Sequence, residues 1–167
     1  HPGVHGGLET GVPFTDMPWS ERFFGALVRG GLFETVDTDD GIIESARTYL
    51  SYVHMCEPET DSPSASSYRD LEPYFDAELR AITAHVLLPV GQRATEHVFE
   101  TYTAIDADRA TAMADLHATE QHGSGWLIVP IKDPAVWTDD DERALIDCLK
   151  TLLDSDYRQI SDLGRFL

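Results

Sequence analysis

The sequence predicts an α/β fold, a three-layer α/β/α sandwich around a mainly parallel central sheet. Two short, continuous apolar runs carry that reading: residues 85–90 (HVLLPV) and 126–131 (WLIVPI). Runs of this length mark strands buried on both faces, as in parallel sheets. The third observation is alternation of strand-like and helix-like segments, which implies helices crossing over a parallel sheet. The 167 residues fit one domain.

The elements follow in order. Residues 1–18 (HPGVHGGLETGVPFTDMP) are rich in Gly and Pro and read as a loop. Ser20 is a candidate cap for a helix over 20–30, with Phe23, Phe24, Leu27 and Val28 on one face. Gly30-Gly31 ends it. Residues 35–41 read as an acidic turn, and 47–54 (RTYLSYVH) as a strand on their β-rich composition. Residues 57–67 read as a surface loop. A helix over 68–83 would bury Leu71, Phe75, Leu79 and Ile82. Pro73 suits a first turn, which moves its expected start toward Glu72. After the first buried strand, Gly91 opens a helix to residue 99. Residues 106–115 read as helical and 116–124 as a loop. After the second buried strand, Thr138 with Asp141 resembles a capping box. It opens a helix to residue 153 with Leu145, Ile146, Leu149 and Leu152 inward. The chain opens at His1 within a loop, so a first strand is expected upstream. Ligands in such sheets lie beyond the carboxyl ends of the strands, here the loops after Val53, Val90 and Ile131, joined by residues 1–18.

Charge is the most unusual bulk property. Twelve Lys and Arg face 30 Asp and Glu, a net charge of −18. The acids are spread along the chain, and only two cations are Lys (Lys132, Lys150). Spread acidity keeps a surface hydrated but adds self-repulsion, which molar salt removes by shortening the Debye length to about 3 Å. The reading is a protein of a salt-rich cytoplasm. An ordinary acidic protein is the plain alternative. Two cysteines, Cys56 and Cys148, make no disulfide framework and fit a reducing compartment. No run approaches the roughly 20 apolar residues needed to span a bilayer, so no membrane partner is expected, and a monomer is. The chain lacks G-x-x-x-x-G-K-[ST], G-x-S-x-G and C-x-x-C, which argues against P-loop hydrolysis, a serine nucleophile elbow and a zinc knuckle.

Four motif pieces occur in a telling order. Pro2-Gly3 precedes Gly11-Val12-Pro13-Phe14, and a strand closes on Cys56-Glu57-Pro58. Glu72-Pro73-Tyr74-Phe75 leads to Leu88-Pro89-Val90-Gly91-Gln92-Arg93-Ala94, and the last strand ends in Asp133-Pro134. In order and spacing these resemble the uracil-DNA glycosylase superfamily, closest to its iron–sulfur family-four branch, from Pro2 to about Leu153. The resemblance implies a DNA partner, a flipped-out base, a stacking ring worth roughly 1–3 kcal/mol, and a carboxylate that orients water or steadies a cationic sugar. A group near the leaving base would help its developing negative charge.

Carried over by position, the resemblance implies Phe14 as the stacking ring and Pro2-Gly3 as part of the base pocket. Tyr52 stands where a base-reading Asn is expected. Glu9 and His5 are the ionisable groups of the segment that holds the family's acid, and Asp133 stands where its last motif has His. Gln92 and Arg93, at a helix start, would meet DNA phosphate, and Trp137 would be an apolar wedge into DNA. Each has a plainer reading. Glu9 and His5 fit a solvated loop, and Phe14 and Trp137 fit the core. Asp133 fits an Asp-Pro turn, and Gln92 and Arg93 fit a helix surface. His54 and Cys56 read as core residues, His117 and His122 as surface histidines. No metal is assigned, because His1 and His5 lack an acid or cysteine partner. The resemblance implies no complete iron–sulfur site either. Cys56 matches one of four cluster cysteines, Leu71 stands at a second, and the others would precede His1.

These readings leave two functions open: a glycosylase that excises uracil or a related damaged base, and a catalytically degenerate relative that binds single-stranded DNA or nucleobases. A flavodoxin-like interaction domain rests on fold analogy alone. The acidity excludes neither of the first two in concentrated salt, where repulsion from DNA is screened.

Overall fold

A computed structural model describes residues 1–44, 48–57 and 62–155. Arg47, Pro58 and the tail from residue 156 lie outside the described residues. No helix among the described residues is long and apolar enough to cross a membrane.

The N-terminal loop contains one helical turn, α1 (Pro2–His5). It then bends at Gly6, whose φ is +79° and where a Cβ would sit 1.6 Å from the Thr15 carbonyl oxygen. Only glycine fits this crossing. Helix α2 (Ser20–Arg29) buries Phe23, Phe24, Ala26 and Leu27. Ser20 is its first residue rather than its cap. The Ser20 hydroxyl accepts from the Met17 N–H and donates to the Phe14 carbonyl. The expected acidic turn is the tip of a hairpin, β1 (Thr35–Asp37) antiparallel to β2 (Ile42–Glu44). Asp37 Oδ1 accepts from the N–H groups of Asp39 and Asp40, an Asx turn.

Residues 48–54 do not form the expected strand over 47–54: among the described residues they join no ladder. Their β-rich composition marks chain packed on the core, with Val53 and the following Met55 against the Phe75–Leu79 cluster. Composition does not specify a pairing partner. Helix α3 (Ala65–Ile82) starts earlier than expected because the Ser64 side chain accepts from Ser67 N–H and caps it. Pro73 is therefore interior, on the exposed side, where it removes one backbone donor. Of the four expected inward residues Phe75 and Leu79 are buried, Leu71 is half-buried and Ile82 is exposed.

The two apolar runs pair as expected. Strand β3 (Val86–Leu87) lies parallel to β5 (Trp126–Ile128), and a parallel bridge joins Val90 to Ile131. Strand β4 (Gln121–Gly123), read as a loop, pairs antiparallel with β5 across Ser124-Gly125. Both of those residues have positive φ, the pattern of a tight primed hairpin turn. Helix α4 (Gln92–Tyr102) follows Gly91, and α5 (Met113–Leu116) follows a 3-10 turn over Ala107–Ala112. A second 3-10 turn, Pro134–Val136, precedes α6 (Asp139–Asp154). The Thr138–Asp141 capping box is formed, and four acids occupy the first turn, where the helix dipole favours them.

Alternation along residues 127–131 places helices on both sides. Leu127 and Val129 meet Leu152 of α6, and Ile131 meets Leu145 and Leu149. Ile128 faces Phe75, Leu79, Val98 and Phe99 of α3 and α4. Helices α2 and α6 approach closely at Gly30, where a Cβ would lie 2.7 Å from Leu149 Cδ1. Arg22 ties the pair by ion pairs to Asp139 and Glu142, each at 2.7 Å.

Candidate functional site

A crevice of about 1480 Å³ runs along β3 and past its carboxyl end, where Ile131 and Asp133 also line it. The parallel pairing puts both strand ends, and the loops that follow them, on one edge. Its lining includes His5, Phe14, Tyr52, Gln92, Arg93 and Asp133, six of the ten residues singled out from the sequence. Pro2, Gly3, Glu9 and Trp137 lie outside the lining.

Phe14 is held in an unusual backbone. Its φ is +69°, a left-handed conformation that costs a residue with a Cβ about 1–2 kcal/mol. Such outliers concentrate at functional sites. Two bonds hold it: its N–H donates to the Tyr52 hydroxyl at 3.0 Å, and its carbonyl accepts from Ser20 Oγ at 2.6 Å. The ring packs against Phe23 and Tyr52, with centroids 5.4 and 5.3 Å away. Phe14 is thus both a core residue and a wall of the crevice.

Tyr52 does not present a free polar group to the crevice. Its hydroxyl accepts from Phe14 N–H and donates to the Gly6 carbonyl, with the His5 carbonyl 3.1 Å away. Burial raises its pKa, the Phe14 N–H lowers it and Asp16 raises it. The phenol staples the two ends of the loop from Gly6 to Phe14. Sequence position alone cannot distinguish this from reading a base.

His5 and Asp133 both line the crevice. Burial lowers the His5 pKa, the terminal ammonium lowers it further, and Asp133 raises it. Asp133 Oδ1 also accepts from the Ala135 N–H at 2.9 Å, starting the 3-10 turn. The turn-forming reading and placement in the crevice therefore both hold for Asp133. Glu9 is exposed on the loop, where its N–H donates to Asp16 Oδ2 at 3.2 Å.

Gln92 and Arg93 are exposed at the start of α4. Gln92 Nε2 donates to Glu96 at 2.8 Å, and the Arg93 guanidinium lies 4.6 Å over the Tyr68 ring. Trp137 is 7% exposed and packs on Phe23 and His117. Its indole N–H donates to the Lys132 carbonyl, so the ring belongs to the core. Val136, its neighbour, is 61% exposed and lines the crevice. A single-residue change of direction after a 3-10 turn decides which one faces outward, and no pattern in the sequence marks it.

Two histidines differ from one another despite similar readings. His122 is exposed, whereas His117 is 7% exposed with both ring nitrogens bonded to backbone. His54 is buried as expected, whereas Cys56, also read as a core residue, is exposed. The His54 Nδ1 donates to the Cys56 carbonyl at 2.8 Å, so its Nε2 accepts from Ser67 Oγ at 2.6 Å.

Cys56 and Leu71 line one shallow depression with Met55 and Tyr74. The two positions that the resemblance linked to a cluster are therefore neighbours. The donor set does not fit an iron–sulfur cluster, which needs Cys thiolates. Cys56 is the cysteine in that depression, Leu71 offers a hydrocarbon, and Cys148 packs against Leu127, Val129 and Leu152. Among the described residues no group of three His, Cys, Asp or Glu is placed to hold a metal.

The α/β fold with a crevice at the sheet edge defines the class of protein. The family model for the uracil DNA glycosylase superfamily matches residues 1–152, and the chain belongs to that superfamily. It is similar to the type-5 uracil-DNA glycosylase of Pyrobaculum aerophilum, 28% identical over 109 residues, covering 64% of this chain and 48% of that protein. It is 30% identical over 88 residues to the type-5 uracil-DNA glycosylases of Mycobacterium bovis and Mycobacterium tuberculosis, covering 51% of this chain and 32% of each. The chain therefore spans about half, or less, of the length of these relatives.

Proposed function

We propose that this protein hydrolyses the N-glycosidic bond of uracil or a related damaged base in DNA. The observation that carries the reading is the strained Phe14 in one crevice with His5 and Asp133. The flipped base would stack on Phe14. Water adds its oxygen to C1′ as the C1′–N bond breaks, and the departing base takes up the remaining proton. The Asp133 carboxylate steadies the cationic sugar, and the His5 imidazole donates toward the base as negative charge develops. Arg93 and Gln92 meet the DNA backbone at the rim, with Val136 taking the wedge position that Trp137 does not occupy.

The charge of −18 and the two free thiols support a salt-rich cytoplasm. The β3–β5 pair and the Val90–Ile131 bridge support a mainly parallel central sheet in a three-layer sandwich. The test is excision of uracil from single- and double-stranded DNA in concentrated KCl. Asp133→Asn is expected to lower the single-turnover rate by about 100-fold or more. Absence of excision of uracil and related bases refutes the glycosylase reading. Glu9→Gln in the same assay shows whether the exposed loop carboxylate shares the acid's work, and a rate within about 2-fold of wild type leaves it to Asp133.

One observation favours the second reading, a nucleobase or single-stranded DNA binding module. The Tyr52 hydroxyl, at the place of a base-reading amide, is committed to the loop. That reading predicts binding without excision, weakened by Phe14→Ala.

A further inference from the structure

Outside the crevice, one buried side chain has all of its polar atoms committed to the segment that carries Asp133 and to α6. His117 follows α5. Its Nδ1 accepts from the Lys132 N–H at 2.9 Å, and its Nε2 lies 2.8 Å from the Asp141 carbonyl in the first turn of α6. A backbone N–H only donates and a carbonyl only accepts. The proton therefore sits on Nε2, and one imidazole spans the gap between loop and helix. Lys132 is held at its other polar atoms too. Its carbonyl accepts from Trp137 Nε1 at 2.7 Å, and its ammonium meets Asp141 Oδ2 at 2.9 Å. The indole packs against the His117 ring, centroids 5.8 Å apart. Lys132 is thus fixed through N–H, C=O and Nζ, one peptide before Asp133.

We propose that His117 is a positioning residue: seated against the first turn of α6, its Nδ1 holds the Lys132 N–H and thereby Asp133 at the crevice. Its catalytic consequence rests on the glycosylase reading above. A carboxylate steadying a cationic sugar acts only at a set distance, and a displacement of about 1 Å costs on the order of 100-fold in rate.

Two substitutions separate the two ends of the clamp. Asn places an amide oxygen near the Nδ1 position and keeps an acceptor for Lys132 N–H. Gln places an amide nitrogen near Nε2 and keeps only the bond toward Asp141. The experiment measures backbone amide exchange of Lys132 and single-turnover excision of uracil from single-stranded DNA in concentrated KCl, corrected for folded fraction. His117→Gln should speed Lys132 exchange by about 10-fold or more and lower the saturating rate by about 10-fold or more, with KM within about 2-fold. His117→Asn should retain both. A merely structural role would lower the rate equally in the two variants or in neither, and either result overturns the proposal. So does an unchanged Lys132 amide in His117→Gln. If the wild-type protein excises nothing, the glycosylase reading fails, while amide exchange still decides the clamp.

Discussion

Replacing Tyr52 with Phe removes one oxygen atom and tests what that residue is for. The hydroxyl accepts from Phe14 N–H and donates to the Gly6 carbonyl. Phe at this position keeps the ring contact with Phe14 but leaves a buried donor without a partner. An unsatisfied buried group costs about 1–3 kcal/mol. The lost bond is also one of the two that hold Phe14 at φ +69°. The expected loss of stability is therefore about 2 kcal/mol. For a chain of this size that lowers the unfolding midpoint by roughly 4–8 °C. Thermal unfolding in concentrated KCl, followed by circular dichroism, measures it. An unchanged midpoint with a specific loss of uracil-DNA affinity would refute the reasoning, because it would mean that the hydroxyl reads the base.

Three further predictions follow from the packing and the charges. Burial alone would raise the Asp141 pKa, but the Thr138 N–H and the Lys132 ammonium bring it down to about 2 from 3.8. A depressed carboxylate contributes stability above its unfolded value and loses it as pH falls. About 2 kcal/mol should therefore disappear between roughly pH 4 and pH 2, and acid titration of Asp141→Asn should lack that component. Trp137→Ala should cost about 3–5 kcal/mol as a core deletion. Val136→Ala should change stability by no more than about 0.5 kcal/mol but weaken duplex-DNA binding by about 1 kcal/mol, roughly 5-fold; the reverse ranking in paired unfolding and binding measurements would reassign the wedge. Gly30→Ala should destabilise by about 1–3 kcal/mol through overpacking, since its Cβ would lie 2.7 Å from Leu149 Cδ1, and a neutral effect in denaturant titration would show that α2 and α6 can separate freely.

What the sequence determined by itself is what depends on local pattern. Residues 127–131 show their burial in composition alone, and the other apolar run, at β3, pairs with them in parallel. Thr138 and Asp141 specify a helix start because both halves of a capping box lie within four residues. The ordered motifs from Pro2 to Asp133 brought the correct superfamily into view. Strand β4 was not legible, because Gln121-His122-Gly123 has no alternating apolar face. Residues 48–54 were misread because β-rich composition does not reveal whether a ladder partner exists.

Tertiary structure decided the rest, where a side chain's role depends on a partner far along the chain. Tyr52 becomes a staple through bonds spanning 38 and 46 residues. Trp137 turns inward because Phe23 and His117 receive its ring. His117 becomes a clamp because Lys132 and Asp141 arrive on opposite sides of it. Residue type sets which bonds such a group can make, and only the packed chain sets which of them it makes.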